Sequence, residues 1–310
     1  MNKVLAIVGP TAVGKTSLSL TLAKKFDGEI ISGDSMQVYQ ELNIGTAKIS
    51  KQDQQGVAHH LIDICKIDQR FSVSDFKKQA AEQIKQITSR GHLPIIVGGT
   101  GFYLQALLED LSLGNDTYDS SEKTRNKWHE YAKSHSQKEL WRKLNAIDPK
   151  ATEKIPVTNE VRVVRALEVF DKTGHLFSEQ NDDSKTIYDA LLIGLNTDRK
   201  LLYKRINQRV DLMVADGLED EAKWLYGQGG QDLPAGKGIG YREWYPYFEN
   251  HLSKELVIEK VKQNSRHYAK RQLTWFRNKM DVNWFDIIRQ PDEEQQIILK
   301  IQKWVRRNER

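Results

Sequence analysis

Hydrophobic residues near the start of the chain fall in short unbroken runs, and each run is followed by a segment with helical spacing. Val4-Leu5-Ala6-Ile7-Val8 has no polar alternation, which predicts a strand buried on both faces. Thr16–Phe26 places Leu18, Leu22 and Ala23 on one side of a helix. Glu29-Ile30-Ile31-Ser32 reads as a second short strand and Leu61-Ile62-Asp63-Ile64 as a third. Asp75–Arg90 is amphipathic, with Ala80, Ala81, Ile84 and Ile87 inward, and it stops at Gly91, a residue suited to the left-handed end of a helix. Leu93–Val97 and Ala190–Leu195 are further apolar strands. Strands and helices alternating in this way predict a parallel sheet covered on both faces.

From Gly114 to Asp189 the rhythm breaks. Strand signals vanish, and Ser121–Ser134, Gln137–Asn145 and Thr158–Thr173 read as helices. The expected organisation is an α/β core made of residues 1–113 and 190–310, interrupted by a mostly helical insertion over 114–189. The C-terminal part of the core is itself largely helical.

Composition narrows the classes. The 310 residues carry 47 Lys and Arg against 42 Asp and Glu, a formal +5, so a basic surface has to come from local clustering. The single cysteine, Cys65, excludes an intrachain disulfide and a cysteine-built metal cluster. No apolar run approaches the ~20 residues of a membrane span, and the run within Met1–Pro10 is too short for a signal-peptide core. The expectation is a soluble, cytoplasmic protein without a membrane partner. The absence of a heptad or symmetric motif adds the expectation of a monomer.

The sharpest motif is Gly9-Pro10-Thr11-Ala12-Val13-Gly14-Lys15-Thr16, two glycines separated by four residues and followed by Lys-Thr. It stands directly after the first strand and before the first helix, where backbone N–H groups and the helix N-terminus converge on a phosphate. Lys15 is placed to reach a second phosphate and Thr16 to ligate magnesium. ATP or another nucleotide is the usual occupant of such a loop. Nucleotide hydrolases usually add an acid at the end of a second buried strand, yet Leu93–Val97 runs into Gly98-Gly99-Thr100-Gly101 with none. Asp63 sits in a weak apolar context. Asp34, in Ser32-Gly33-Asp34-Ser35, follows a strand and belongs at the carboxyl edge of the sheet beside the phosphate loop. The same residue also suits a turn or a helix cap, and Thr100 equally suits a cap after the Gly-Gly turn.

The loop is followed by Gly33-Asp34-Ser35-Met36-Gln37-Val38-Tyr39, Asn43-Ile44-Gly45-Thr46-Ala47-Lys48 and His59-His60-Leu61-Ile62-Asp63. Further on come Val97–Tyr103, Arg165–Val169, Gly238–Glu243 and Tyr268–Phe276. In this order the blocks resemble the bacterial tRNA dimethylallyltransferase family along nearly the whole chain. The resemblance implies a phosphate-loop NTPase-like core, magnesium, and a helical insertion that grips the anticodon stem-loop. It also implies transfer of a dimethylallyl group from its diphosphate to the exocyclic amine of the adenosine 3′ of the anticodon. It makes Asp34 the base at that amine and Thr100 a hydrogen-bonding partner of the adenine. Ser35, Met36 and Gln37 match the segment that meets tRNA beside the base, and Arg242 the arginine that touches substrate.

Charge spacing adds candidates. Arg205 and Arg209 are one helical turn apart, so both can face one diphosphate or both can sit on a solvated face. Arg162 and Arg165 share a helix whose other face is Val161, Val164 and Leu167. Lys260–Lys279 holds seven Lys or Arg and no acid, Lys270 and Arg271 among them. Basic residues in such a run neutralise RNA phosphates, whereas Tyr268, Trp275 and Phe276 read better as core than as stacking groups. Arg125 and Lys237 complete the expected tRNA contacts. His59, His60 and His267 lack carboxylates at ligand spacing and read as structural. The other reaction class open to the same loop is a small-molecule phosphotransferase. A non-catalytic RNA-binding protein is a third reading, against which the intact Lys15 and Thr16 argue.

Overall fold

The computed structural model describes residues 1–111, 113, 118–179 and 186–308. The chain forms two compact units, Met1–Asp110 with Thr186–Arg310, and Leu111–Lys185.

The first unit is built on six strands: β1 (Asn2–Val8), β2 (Gly28–Ser32), β3 (His59–His60), β4 (Leu93–Gly98), β5 (Tyr188–Leu195) and β6 (Asn283–Phe285). Their order is β3-β2-β4-β1-β5-β6, and every pairing is parallel. Its helices are α1 (Lys15–Lys25), α2 (Val73–Ser89) and α3 (Gly101–Leu108) before the second unit. The second unit consists of α4 (Tyr118–Ser134), α5 (Gln137–Ile147), α6 (Pro149–Lys154) and α7 (Glu160–Thr173). The first unit then resumes with α8 (Arg199–Ala215), α9 (Leu218–Gly227), α10 (Tyr245–Phe248), α11 (Lys254–Lys279) and α12 (Glu293–Val305).

The uninterrupted apolar strands are explained by helices on both faces. Leu5, Ile7, Ile30, Ile95 and Ile193 point to one side, against Leu18 and Leu22 of α1, Ile206 of α8 and Ile297 of α12. Val4, Ala6, Val8, Ile31 and Ile96 point to the other, against Phe76, Ala80 and Ile84 of α2 and Leu104 of α3. A third core joins Val38 and Leu42 to Leu218, Tyr241 and Trp244. In the second unit Trp128, Leu140, Leu144, Val163 and Leu167 make a separate core. A capping box at Ser72 and Asp75 starts α2 and one at Ser136 and Glu139 starts α5.

Several expectations need correction. Leu61–Ile64 is not a strand. The third strand is the preceding pair His59–His60, and Leu61 and Asp63 both have positive φ, which no strand accommodates. Strand β6 lies in a segment read as helical, and its three residues are too few to show a period. Tyr188 and Asp189, assigned to the insertion, open β5, where they pair with Asn2 and Lys3. Among the described residues no helix is long and apolar enough to cross a membrane.

Candidate active site

In a parallel sheet every strand ends on the same edge, so the turns after β1, β2 and β4 meet there. These three strands are neighbours, and a cavity of about 540 Å³ opens where their loops converge with α8 and α11.

One end of this cavity is the phosphate loop. Gly14 caps α1 with φ 93°, a conformation that a side chain would strain. Val13 turns its side chain into the core, while Thr11, Ala12, Gly14, Lys15 and Thr16 line the cavity. Gly9 and Pro10 contribute carbonyls: Lys15 Nζ donates to Gly9 O at 2.9 Å and to Pro10 O at 2.5 Å. From α8, Arg205 Nε donates to Ala12 O at 2.8 Å and Arg209 Nη1 to Thr11 Oγ1 at 2.6 Å. The two arginines therefore face the loop and not solvent. Burial, and then the charge of Arg209, push the Lys15 ammonium down to about 7, with Asp34 acting in the opposite sense. Burial also lowers Arg209, again opposed by Asp34. Half-buried cations crowd this end, and the opposing charge they feel is Asp34. Such a site gains strongly from a polyanion.

The other end is assembled from separate elements. β2 is held to β4 through Gly33 N donating to Val97 O at 2.8 Å, and the chain then turns at Asp34. Asp34 Oδ1 accepts from Met36 N at 2.8 Å and Gln37 N at 3.4 Å, which leaves Oδ2 without a hydrogen bond among the described residues. Asp34 thus serves as a turn residue and lines the cavity as well. Thr100 precedes α3 but does not cap it with its side chain. Its Oγ1 instead accepts from Ser35 N at 3.1 Å and donates to Ser35 Oγ at 3.4 Å, linking the β4 turn to the β2 turn. Thr100 stands just behind the cavity wall formed by Ser35.

Gln37 lines the cavity with its amide already engaged: Nε2 donates to Thr46 O at 3.2 Å and Oε1 accepts from Ser32 Oγ at 3.0 Å. The neighbouring segment is pinned from α9, where the Glu221 carboxylate accepts from the N–H groups of Asn43, Ile44 and Gly45 at 2.8–2.9 Å and from Tyr241 Oη at 2.7 Å. Asp63, the weak alternative acid, is paired with Lys48 at 2.5 Å.

Of the expected tRNA contacts in the first unit, Ser35, Met36, Lys237 and Arg271 line the cavity, as does Arg242, expected at the diphosphate. Arg242 is exposed and paired with Glu243 at 3.2 Å. Lys270 is exposed and lies outside the lining. In the second unit Arg162 is exposed, and Arg165 holds the buried Glu168 at 3.2 Å. Val161, read as inward, is 74% exposed. The Arg125 side chain lies outside the described residues. His59 Nδ1 bonds Val57 O at 2.9 Å and His60 Nε2 bonds Glu29 at 2.7 Å, in keeping with structural roles.

Tyr268 and Gln272 are the residues that sequence reasoning missed. Among the aromatics of α11, Phe276 is core and Trp275 packs beside Phe102, but Tyr268 lines the cavity together with Ser265 and Gln272. Burial and then the charge of Asp34 push the Tyr268 phenol up to about 12, so it holds its proton at neutral pH. The available signal was the spacing of Val261, Ser265, Tyr268 and Gln272, which puts polar groups on the inward face of a helix.

A phosphate loop and a carboxylate on one cavity, at the carboxyl edge of an all-parallel sheet, define a phosphate-loop α/β protein. The comparisons with known proteins make this specific. The family model described as IPP transferase matches residues 37–279. The tRNA dimethylallyltransferase of Limosilactobacillus reuteri is 58% identical over 99% of this chain and 100% of its own, and that of Enterococcus faecalis is 49% identical over 100% and 99%. Among solved structures, the tRNA isopentenylpyrophosphate transferase of Bacillus halodurans superposes with a TM-score of 0.74 at 45% identity, covering 98% of this chain and 97% of that one. A eukaryotic dimethylallyltransferase acting on tRNA gives 0.81 at 31% identity, covering 98% and 79%. The chain belongs to the IPP transferase family, the tRNA dimethylallyltransferases, and is a tRNA-prenylating enzyme. The phosphotransferase reading of the loop is not favoured.

Proposed function

We propose that the cavity joins dimethylallyl diphosphate, held at the phosphate loop, to the exocyclic amine of the adenosine 3′ of the anticodon, held at Asp34. The observation that carries this reading is the placement of half-buried Lys15 and Arg209 on the same cavity as Asp34. The amine nitrogen attacks the allylic carbon as its bond to the diphosphate oxygen breaks. The bonding electrons leave with the diphosphate, and the amine proton passes to the Asp34 carboxylate. Lys15, Arg209 and the loop N–H groups stabilise the charge growing on the leaving group, the kind of preorganised contact worth about 3–4 kcal/mol when one donor is removed. The adenine amine is a weak nucleophile whose lone pair is delocalised, so a base placed at it contributes about 10²–10⁴-fold. Bringing the adenine out of its stack costs a few kcal/mol, which contacts to the stem-loop backbone have to offset.

Magnesium fits the residues present. The described residues contain no group of three or more His, Cys, Asp or Glu able to hold a metal, but the Thr16 hydroxyl lines the cavity at the start of α1. A cation that keeps several waters and takes much of its coordination from substrate phosphates needs little more from the protein. Thr16 would hold it, and when bound it would supply further charge neutralisation at the diphosphate. We further propose that the enzyme acts as a monomer in the cytoplasm, where its tRNA substrate is found.

The test is mass analysis of tRNA nucleosides after incubation with dimethylallyl diphosphate. The expected product is one adenosine per tRNA, next to the anticodon, heavier by a dimethylallyl group. Unmodified tRNA together with phosphate transfer from ATP to a small acceptor would restore the phosphotransferase reading.

A further inference from the structure

The chemistry above gives no part to Glu243, although this acid is only 6% exposed and stands beside the loop that lines the cavity with Gly238, Ile239, Gly240 and Arg242. An ionised carboxylate can only accept hydrogen bonds, and this one accepts three. Oε2 takes the Gly240 N–H at 2.8 Å, in a turn where Gly240 has φ 97°. Oε1 takes Asn264 Nδ2 of α11 at 2.7 Å and Arg242 Nε at 3.2 Å. The carboxylate thus ties the loop to α11 one residue before Ser265, which also lines the cavity.

Stability does not account for a charge at this place. Burying a carboxylate is costly even when it is paired, and the Arg242 side chain is 49% exposed, so solvent screens much of the attraction. Gly240 N and Asn264 Nδ2 are neutral donors that a side-chain carbonyl could serve, so holding the loop does not by itself call for an acid. What the ion pair adds is orientation. With Nε on Glu243, one edge of the guanidinium is fixed, while neither Nη has a hydrogen-bond partner among the described residues and Arg242 lines the cavity. The two Nη groups form a fork that fits the oxygens of a phosphate. We propose that Glu243 is a positioning residue for prenyl transfer, which holds Arg242 by Nε so that its Nη groups meet phosphate oxygens of a substrate in the cavity. The proposal rests on the prenyl-transfer reading, which brings two sources of phosphate to the cavity: the diphosphate of the donor and the tRNA backbone beside the acceptor base.

The test is a double-mutant cycle of Glu243→Gln with Arg242→Ala. It reads the KM for dimethylallyl diphosphate at saturating tRNA, the KM for tRNA at saturating diphosphate, and the single-turnover rate with both saturating. Glu243→Gln should raise one of the two KM values about tenfold, the order of one hydrogen bond to a charged group, with the saturated rate near wild type. A rise for the diphosphate puts the fork on the donor, and a rise for tRNA puts it on the RNA backbone. In the Arg242→Ala background Glu243→Gln should leave that KM where it is, because the group it acts through is gone. Unchanged KM values in the single variant overturn the proposal. An equal rise in both backgrounds also overturns it, because Glu243 would then only brace the loop. Arg242→Lys keeps the charge on a half-exposed side chain and decides the matter even if Glu243→Gln does not fold. An ammonium drawn to Glu243 has no fork to turn outward, so Arg242→Lys should raise the same KM as Arg242→Ala, and a wild-type KM for it overturns the proposal. A wild-type chain that transfers no prenyl group removes the functional reading and this proposal with it, whereas an active wild type indifferent to these substitutions removes only the positioning role.

Discussion

The two ends of the cavity are built in opposite ways. The donor end is one contiguous stretch, residues 9–16, whose conformation follows from a strand, a glycine-bearing turn and a helix start, with two arginines added from a single helix. The acceptor end draws Asp34 from the turn after β2, Thr100 from the turn after β4, and Tyr268 and Gln272 from α11. At the donor end the protein concentrates positive charge before any ligand arrives. At the acceptor end the carboxylate is already half engaged by its own turn, and neutral hydroxyls and amides surround it. On the proposed function, binding strength resides mainly in the first end and proton chemistry in the second, and substitutions should separate the two.

The largest expected effect is at Asp34. Asp34→Asn keeps the shape and an oxygen able to accept from Met36 N, so the turn should survive, while the base is lost. Single-turnover transfer with both substrates saturating should fall by about 10²–10⁴-fold, with the affinity for dimethylallyl diphosphate close to wild type. A wild-type rate would reduce Asp34 to its turn role and break the comparison at its centre. Next in size is Lys15→Ala. Losing one half-buried donor from the proposed leaving-group site should cost about 10²–10³-fold in kcat/KM for the diphosphate, while filter-binding affinity for tRNA stays the same. Equal loss of tRNA binding would mean that the two ends are one structural unit. Thr100→Ala should cost less, on the order of 1 kcal/mol in the chemical step, because the contact it makes is a single hydrogen bond.

How far each end could be read from the sequence follows from this difference. The phosphate loop was legible because every residue that defines it is adjacent to the next, and the buried run Val4–Val8 fixes its place on the sheet. Arg205 and Arg209 were legible as a pair but not as a site, since one-turn spacing says which face they share and not what that face meets. Asp34 was legible only as an acid after a strand, and its role came from the resemblance of the surrounding blocks. Tyr268 was misread as core because an aromatic on an amphipathic helix usually is, and nothing local reveals that this face of the helix meets the cavity. The short strands failed for a related reason: β3 and β6 have two and three residues, held in the sheet by Ile30–Ile31 and Ile193–Leu195, and pairing partners leave no mark on so short a stretch.

The smallest expected effect is on α7, in the second unit, and it tests whether RNA grip is separable from either end. Arg162 is exposed near the start of α7, whereas Arg165 is tied to Glu168, which is fully buried. The spacing that made them look like equivalent phosphate contacts conceals this difference. Arg165→Ala would disturb a buried carboxylate and confuse binding with stability, so Arg162→Ala is the cleaner probe. A lost phosphate contact releases one fewer counterion on binding, and the log–log slope of tRNA affinity against salt should flatten by roughly one unit. Affinity should drop only a few-fold near physiological salt, with the saturated single-turnover rate unchanged because neither the phosphate loop nor Asp34 is touched. An unchanged slope with full affinity would return Arg162 to an ordinary solvated charge. A slower saturated rate would show instead that α7 helps to set the geometry at the acceptor amine, so that the division between donor and acceptor ends omits a third participant.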